Sequence, residues 1–134
     1  MPCPCGTGKP LLACCGRLHD GAVPPSPEAL MRSRYAAYAV GAVDYILLST
    51  HPDGPHHRAD TAVWRSEVEA FCSDTTFEGL QVHGAGFEAP GLGWVEFTAT
   101  LQRGDEDVSF RERSRFRPHN GRWRYLDGRA ILIP

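Results

Sequence analysis

Beyond residue 15 the chain is nearly without cysteine: of its five cysteines, only Cys72 lies in the remaining 119 residues. That scarcity excludes a disulfide framework for the body of the protein. No apolar run approaches the length of a membrane-spanning helix. No secretory leader is read at the amino terminus, so the expected location is the cytoplasm. Charge of one sign is also missing, the formal net charge being −2, and no overall field draws the chain to nucleic acid. The chain has no Walker loop, no dinucleotide fingerprint and no nucleophile elbow, nor any internal repeat. What remains is an ordinary globular composition, 42% hydrophobic over 134 residues, enough for one core and an appendage.

The appendage is the amino terminus. Cys3, Cys5, Cys14 and Cys15 form two pairs with eight residues between them. Four thiolates so spaced can close a tetrahedral shell around one Zn²⁺. Gly6 and Gly8 permit the tight backbone that brings Cys3 and Cys5 to one ion. Zinc would hold all four as thiolates, with Lys9 and Arg17 near in sequence to offset the negative charge. Disulfides are the competing reading, but a bond between neighbours Cys14 and Cys15 is strained, and bridges to Cys3 and Cys5 need an oxidising compartment. His19 is the other side chain near enough to replace Cys15 as a ligand.

The run Cys3-Pro4-Cys5-Gly6-Thr7-Gly8-Lys9, followed by Cys14-Cys15-Gly16, resembles the zinc motif at the carboxyl end of the SecA translocation ATPase, the SEC-C motif. There the fourth ligand is His or Cys, which Cys15 matches. The aromatic and basic residues usual before the third ligand are replaced by Pro10, Leu11, Leu12 and Ala13, so the ligands are kept and the basic docking surface is not. Further on, the run from Leu30 to Tyr38, His51-Pro52, the run from Glu112 to Phe116 and that from Gly121 to Gly128 resemble the YchJ family of bacterial proteins. The resemblance implies a zinc motif joined to a domain of the nuclear-transport-factor-two-like (NTF2-like) fold, a cone of three helices on a curved antiparallel sheet. It implies no particular activity. The expected division is residues 1–19 for the motif, 20–27 for a linker and 28–134 for the NTF2-like domain.

The pattern along the chain agrees with an α+β fold, helices first and strands after. Pro24 and Pro25 mark a semi-rigid linker. Ser26-Pro27-Glu28 is a helix start, with a cap residue, proline at the first position and an acid near the positive end. Met31, Tyr35 and Tyr38 make its buried face, and Gly41 ends it. Asp44 is expected to cap a second helix, Tyr45 to Thr50, stopped by Pro52. Asp60 is expected to cap a third, in which Trp64, Val68 and Phe71 share a face and Cys72 is a small apolar residue. From Thr76 the period becomes two. A strand runs to Phe87, bent near Gly84 or Gly86. Val95, Phe97, Ala99 and Leu101 alternate in the next, and Gly104-Asp105 turns the chain. Phe110, Glu112, Ser114 and Phe116 share one strand face, Asn120-Gly121 makes a hairpin turn, and Trp123, Tyr125 and Asp127 share the next.

Two constellations follow from that register. Glu112 and Asp127 fall on the apolar face, where a carboxylate must find partners or become neutral. They are candidate general bases, with His51 as a third catalytic candidate from the end of the second helix. The plainer reading is a structural cluster with Arg32 or Arg34. The opposite face carries Arg111, Arg113, Arg115 and Arg117, with Arg122 and Arg124 beside them. A phosphate backbone could bind there, but neutralisation by Glu96, Asp105, Glu106 and Asp107 is the more economical expectation, and nucleic acid is not the expected partner. His56 and His57, with His51, are read as surface residues rather than a second metal site. The leading expectation is a cytoplasmic zinc-binding protein whose second domain binds a small molecule or a protein. An acid/base enzyme using His51, Glu112 or Asp127 comes next, and a nucleic-acid or ribosome-associated protein third.

Overall fold

The computed structural model describes residues 1–131; the last three residues of the expected domain, 132–134, lie outside the described part. A 3-10 turn, Leu11–Ala13, precedes four helices: α1 (Cys15–His19), α2 (Pro27–Val40), α3 (Val43–Leu48) and α4 (Thr61–Asp74). The strands follow: β1 (Thr76–Ala89), β2 (Leu92–Arg103), β3 (Glu106–Asp107), β4 (Phe110–His119) and β5 (Arg122–Ile131). All pairings are antiparallel in the order β1-β2-β4-β5, with β3 on β2. Helices α2, α3 and α4 pack on one face of this sheet, and the core forms between them from Leu30, Met31, Ile46, Trp64, Val95 and Phe116 with their neighbours.

The helix starts follow the expected chemistry in two places and depart from it in one. Ser26 Oγ accepts from the Ala29 amide (3.1 Å) and Asp60 Oδ1 from the Val63 amide (3.1 Å), each satisfying an orphan donor. The second helix starts earlier than expected, with Ala42 at the cap position and Asp44 inside the first turn. Asp44 is drawn away by Arg65 of α4, 2.6 Å distant.

Helix α2 is buried on more than the face its pattern shows. Met31 and Tyr35 face the sheet, as expected. Arg32 and Ala36 face the amino-terminal motif instead of solvent. Ala36 is 0% exposed and packs with Cys3, Cys5 and Cys15. Arg32 donates from Nη1 to the Cys5 carbonyl (2.9 Å), and His19 Nε2 lies 2.8 Å from the Ser33 carbonyl. The proline-rich linker therefore joins two parts that touch. The methyl of Ala36 is what lets the motif's backbone approach the helix so closely.

The last hairpin turns at Asn120-Gly121, with φ of 52° and 78°, as a two-residue turn of this hand requires. Its register then changes. Phe116 pairs with Tyr125, yet Arg115 pairs with Asp127, so Leu126 is an extra residue in β5. The bulge reverses the alternation. Tyr125 and Leu126 are both buried, and Asp127 emerges on the arginine face rather than the inner one. The expectation that Asp127 points inward is thus corrected, and the cause lies in a segment distant in sequence. Residues 49–51 lie along β5 here, the Tyr125 amide donating to the Ser49 carbonyl (2.8 Å) and the His51 amide to the Tyr125 carbonyl (2.7 Å).

Asp127 accepts two hydrogen bonds from Arg115, at 2.9 and 2.7 Å. The hydrogen bond and charge of Arg115 hold its carboxyl below the usual range. A depressed carboxyl pKa stabilises the fold above the unfolded value, about 3.9, and that contribution fades as pH falls through the folded value. The side chains are 39% and 29% exposed, so Asp127→Asn should cost no more than about 1 kcal/mol at neutral pH. Urea unfolding from pH 7 down to pH 3 should show the gap between wild type and variant closing only below about pH 4. A gap that persists undiminished in acid would overturn the pairing. Ala36→Leu should overpack the junction of motif and helix and cost roughly 1–3 kcal/mol, read as a lower urea midpoint. An unchanged midpoint would mean that the motif lifts away from α2 without cost.

Candidate functional site

The cysteine cluster is assembled by a short loop closed on itself. The Cys3 amide donates to the Lys9 carbonyl (2.8 Å) and the Leu11 amide to the Met1 carbonyl (2.9 Å), which folds residues 3–9 into a knuckle. Gly6 and Gly8 occupy its bend at φ of 87° and 82°, a region that side chains rarely adopt. Helix α1 then brings Cys14 and Cys15 against Cys3 and Cys5. The four sulfurs all lie within 4.8 Å of one another. Cys5 and Cys14 sulfurs are 3.6 Å apart, and those of Cys14 and Cys15 4.0 Å. Metal–sulfur bonds of about 2.3 Å in tetrahedral geometry put neighbouring sulfurs about 3.8 Å apart, so the donor set fits a metal ion. All five cysteines are free thiols, with no disulfide among them.

The surroundings suit four thiolates only if a cation is there. Burial pushes the Cys3 and Cys15 thiols up. Burial also opposes ionisation of Cys14, but hydrogen bonds from Thr7 and the other thiols outweigh it and bring Cys14 down to about 7. Thr7 Oγ1 lies 3.2 Å from Cys14 Sγ and 3.6 Å from Cys5 Sγ, a hydroxyl that can orient both ligands. Arg32 reaches the cluster through the Cys5 carbonyl. Lys9 and Arg17, the sequence neighbours, make no ion pair among the described residues. His19 is not part of the cluster; it is committed to Ser33 and lies against the Tyr45 ring at 4.8 Å.

A second feature lies on the other side of α2. A half-open cavity of about 420 Å³ separates the helices from the sheet. Its wall is mostly aromatic, with Tyr35, Tyr38, Trp64, Phe71, Phe77 and Phe97 contributing. The polar groups converge on Tyr125. Its hydroxyl donates to Glu112 Oε2 (3.3 Å) and lies 3.5 Å from His56 Nε2. Ser114 Oγ donates to the same Glu112 oxygen. Burial, followed by the charge of Glu112, pushes the Tyr125 phenol up, so it remains a donor near neutrality. Gly128, across the strand from Ser114, leaves the space that the Glu112 carboxyl group fills.

Of the three catalytic candidates, the cavity gathers only Glu112. Asp127 is bound to Arg115 on the opposite face. His51 is buried outside the cavity wall, its Nδ1 accepting from the Asp53 amide (3.0 Å) and its ring 5.3 Å from His119. Burial first, and then Arg117, hold His51 below its usual pKa. Neither carboxylate meets a first-helix arginine. Arg34 Nη1 donates to the Ile46 carbonyl (3.1 Å), Ser49 Oγ (2.7 Å) and Thr50 Oγ1 (3.1 Å), and its guanidinium carbon sits 4.6 Å from the Tyr125 ring centre. Arg32 is spent on Glu28 and Cys5. Sequence reasoning missed His56, which it placed on the surface with His57. His56 is exposed but lines the cavity; His57 rests on Trp64 at 5.1 Å between ring centres.

On the outer face, the arginines are paired, although not all with the expected acids. Arg111 meets Glu96 (3.3 Å), Arg113 meets Glu88 (3.5 Å) and covers the Trp94 ring, and Arg117 reaches Asp53 (4.0 Å). Arg115 joins Glu88 as well as Asp127. Arg122 and Arg124 donate to the backbone carbonyls of Gly21 and Leu48. Asp105, Glu106 and Asp107 neutralise none of them among the described residues, because β3 pairs at the far end of β2.

Comparison with known proteins agrees with both halves. Residues 26–128 match the family described as YchJ, middle NTF2-like domain. A protein of Deinococcus radiodurans named as a UPF0225 protein is 41% identical over 128 residues, 94% of this chain and 87% of that one. The solution structure of a SEC-C motif-containing protein from Rhodopseudomonas palustris superposes with a TM-score of 0.78 at 38% identity, over 98% of this chain and all (100%) of that one. The crystal structure of a SEC-C motif-containing protein from Psychrobacter arcticus has a TM-score of 0.79 at 24% identity, over 100% of this chain and 85% of that one, and shows the shared fold. With an NTF2-like cone, a four-cysteine knuckle and a relative of this identity along nearly its whole length, the chain belongs to the YchJ family.

Proposed function

We propose that the protein is a cytoplasmic zinc-binding receptor for a small organic molecule. The observation that carries this reading is the half-open aromatic cavity with polar groups converging at one end, the usual form of a small-molecule site. Zinc is the ion the cysteines suit best, since four thiolates in tetrahedral array favour it over harder cations. Cys3, Cys5, Cys14 and Cys15 would hold it, and it would supply structure rather than chemistry, because no ligand position is left open. The paired arginines support the expectation that nucleic acid is not the partner.

A second reading, acid/base catalysis, draws on the chain of Glu112, Tyr125 and His56. Its phenol lies within hydrogen-bonding reach of the carboxylate on one side and of the imidazole on the other, at the cavity wall. In that reading Glu112 is the base, and neither His51 nor Asp127 takes part.

Native protein should carry about one equivalent of zinc by elemental analysis, and Cys14→Ser should lose most of it. Because the knuckle rests on α2, chelation should lower the melting temperature of the whole chain. A domain that melts unchanged after zinc removal would show that the contact contributes nothing. The cavity is tested with a neutral aromatic probe, indole, followed by chemical-shift changes of cavity residues. Binding that Val68→Trp abolishes by filling the space supports the receptor; shifts confined to residues elsewhere refute it.

A further inference from the structure

Glu112 is the carboxylate whose place in the fold is least explained by structure. It faces the cavity, and among the described residues no lysine, arginine or histidine lies within 4.0 Å of it. Both hydrogen bonds it accepts, from Ser114 and Tyr125, fall on Oε2. No protein donor reaches Oε1 among the described residues. Three outward carboxylates of the sheet, Glu88, Glu96 and Asp127, each have an arginine. Glu112, which opens onto an aromatic space, has none among the described residues.

The nearby cation does not neutralise it. Arg34 also lines the cavity, but its Nη1 is fastened by three hydrogen bonds to residues at the end of α3. That end carries the negative pole of a helix, which stabilises a cation in place. Tyr125 touches both groups, taking this guanidinium on its ring face and donating from its hydroxyl to Glu112. Arg58, at the rim, is taken by Glu67 (2.9 Å). The inner wall therefore offers a free carboxylate oxygen in a cavity that Tyr35, Trp64 and Phe97 also line. Aromatic faces attract cations as well as bury apolar surface.

Resting on the receptor reading above, we propose that the ligand is an organic amine: a protonated primary or methylated nitrogen set against Glu112, carrying a hydrophobic body against the aromatic wall. The cavity, about 420 Å³, is near the small end of ligand pockets, roughly 300–1,000 Å³, and suits one or two rings with a short chain. A carboxylate-bearing ligand of the same body would meet Glu112 as a like charge.

Three probes with one body decide the matter: 2-(1-naphthyl)ethylamine, 2-(1-naphthyl)ethanol and 1-naphthylacetic acid, titrated calorimetrically into the zinc-loaded full chain at pH 7. The amine should bind about tenfold more tightly than the alcohol, and the acid more weakly than either. Glu112→Gln keeps an acceptor for Ser114 and Tyr125 and removes the charge; it should bring the amine to the level of the alcohol. If that variant does not fold, the order of the three probes on the wild type still decides. Alcohol binding with no preference for the amine, or tighter binding of the acid, overturns this proposal and leaves the receptor reading standing. If none of the three binds, the receptor reading fails, and this proposal with it.

Discussion

Helix α2 is enclosed by two partners of different chemistry, and the rest of the molecule is arranged around that enclosure. On one side it meets an apolar sheet through Met31 and Tyr35; on the other it meets a loop of cysteines through Arg32 and Ala36. Between these faces Ser33 bonds the Tyr45 hydroxyl (2.7 Å), and Arg34 ties the helix to the end of α3. A helix closed on so many sides loses the polar stripe that marks a surface helix. It also contacts both the cysteine cluster and the cavity. Successive residues Arg32, Ser33 and Arg34 serve the knuckle, the core and the cavity wall in turn.

How much of this was legible in the sequence depends on the range over which the information acts. Caps at Ser26 and Asp60, the Asn120-Gly121 turn and the alternation of Val95, Phe97, Ala99 and Leu101 rest on residues a few positions apart, and the structure repeats them. So does the gathering of four cysteines. The inward position of Asp127 rested on an unbroken period of two, and one extra residue at Leu126 was enough to reverse it. Nothing near Leu126 in the sequence marks the bulge. It is fixed from afar, where residues 49–51 take up the backbone groups of Tyr125.

The same limit explains the arginines. Their alternation along β4 was visible, and so was the chance of acidic neighbours. Which acids serve them is a matter of strand order: β1 supplies Glu88, β2 Glu96 and β5 Asp127. Pairing exposed guanidinium groups across strands adds little stability, since exposed ion pairs are screened and lose side-chain freedom. Four of the six arginines on this face lie against acids, and Arg113 covers the Trp94 ring.

The cavity follows from how the sheet sorts its charges. Arg34 was the natural partner for an inward carboxylate, being buried, on the right helix and 8% exposed. It is held instead through Nη1 by a carbonyl and two hydroxyls at the end of α3, none of them a formal counter-charge. That leaves Glu112 without an arginine partner among the described residues, in an aromatic cavity. The arrangement is tolerable because the cavity is half open, so water can solvate the carboxylate when nothing else does. Closing the space with larger side chains would remove that solvation and leave a buried charge without a partner, which is far costlier than the void. The opening and the charge are therefore linked: the carboxylate stays on this face because the cavity is there, and its full electrostatic strength appears only when something displaces the water.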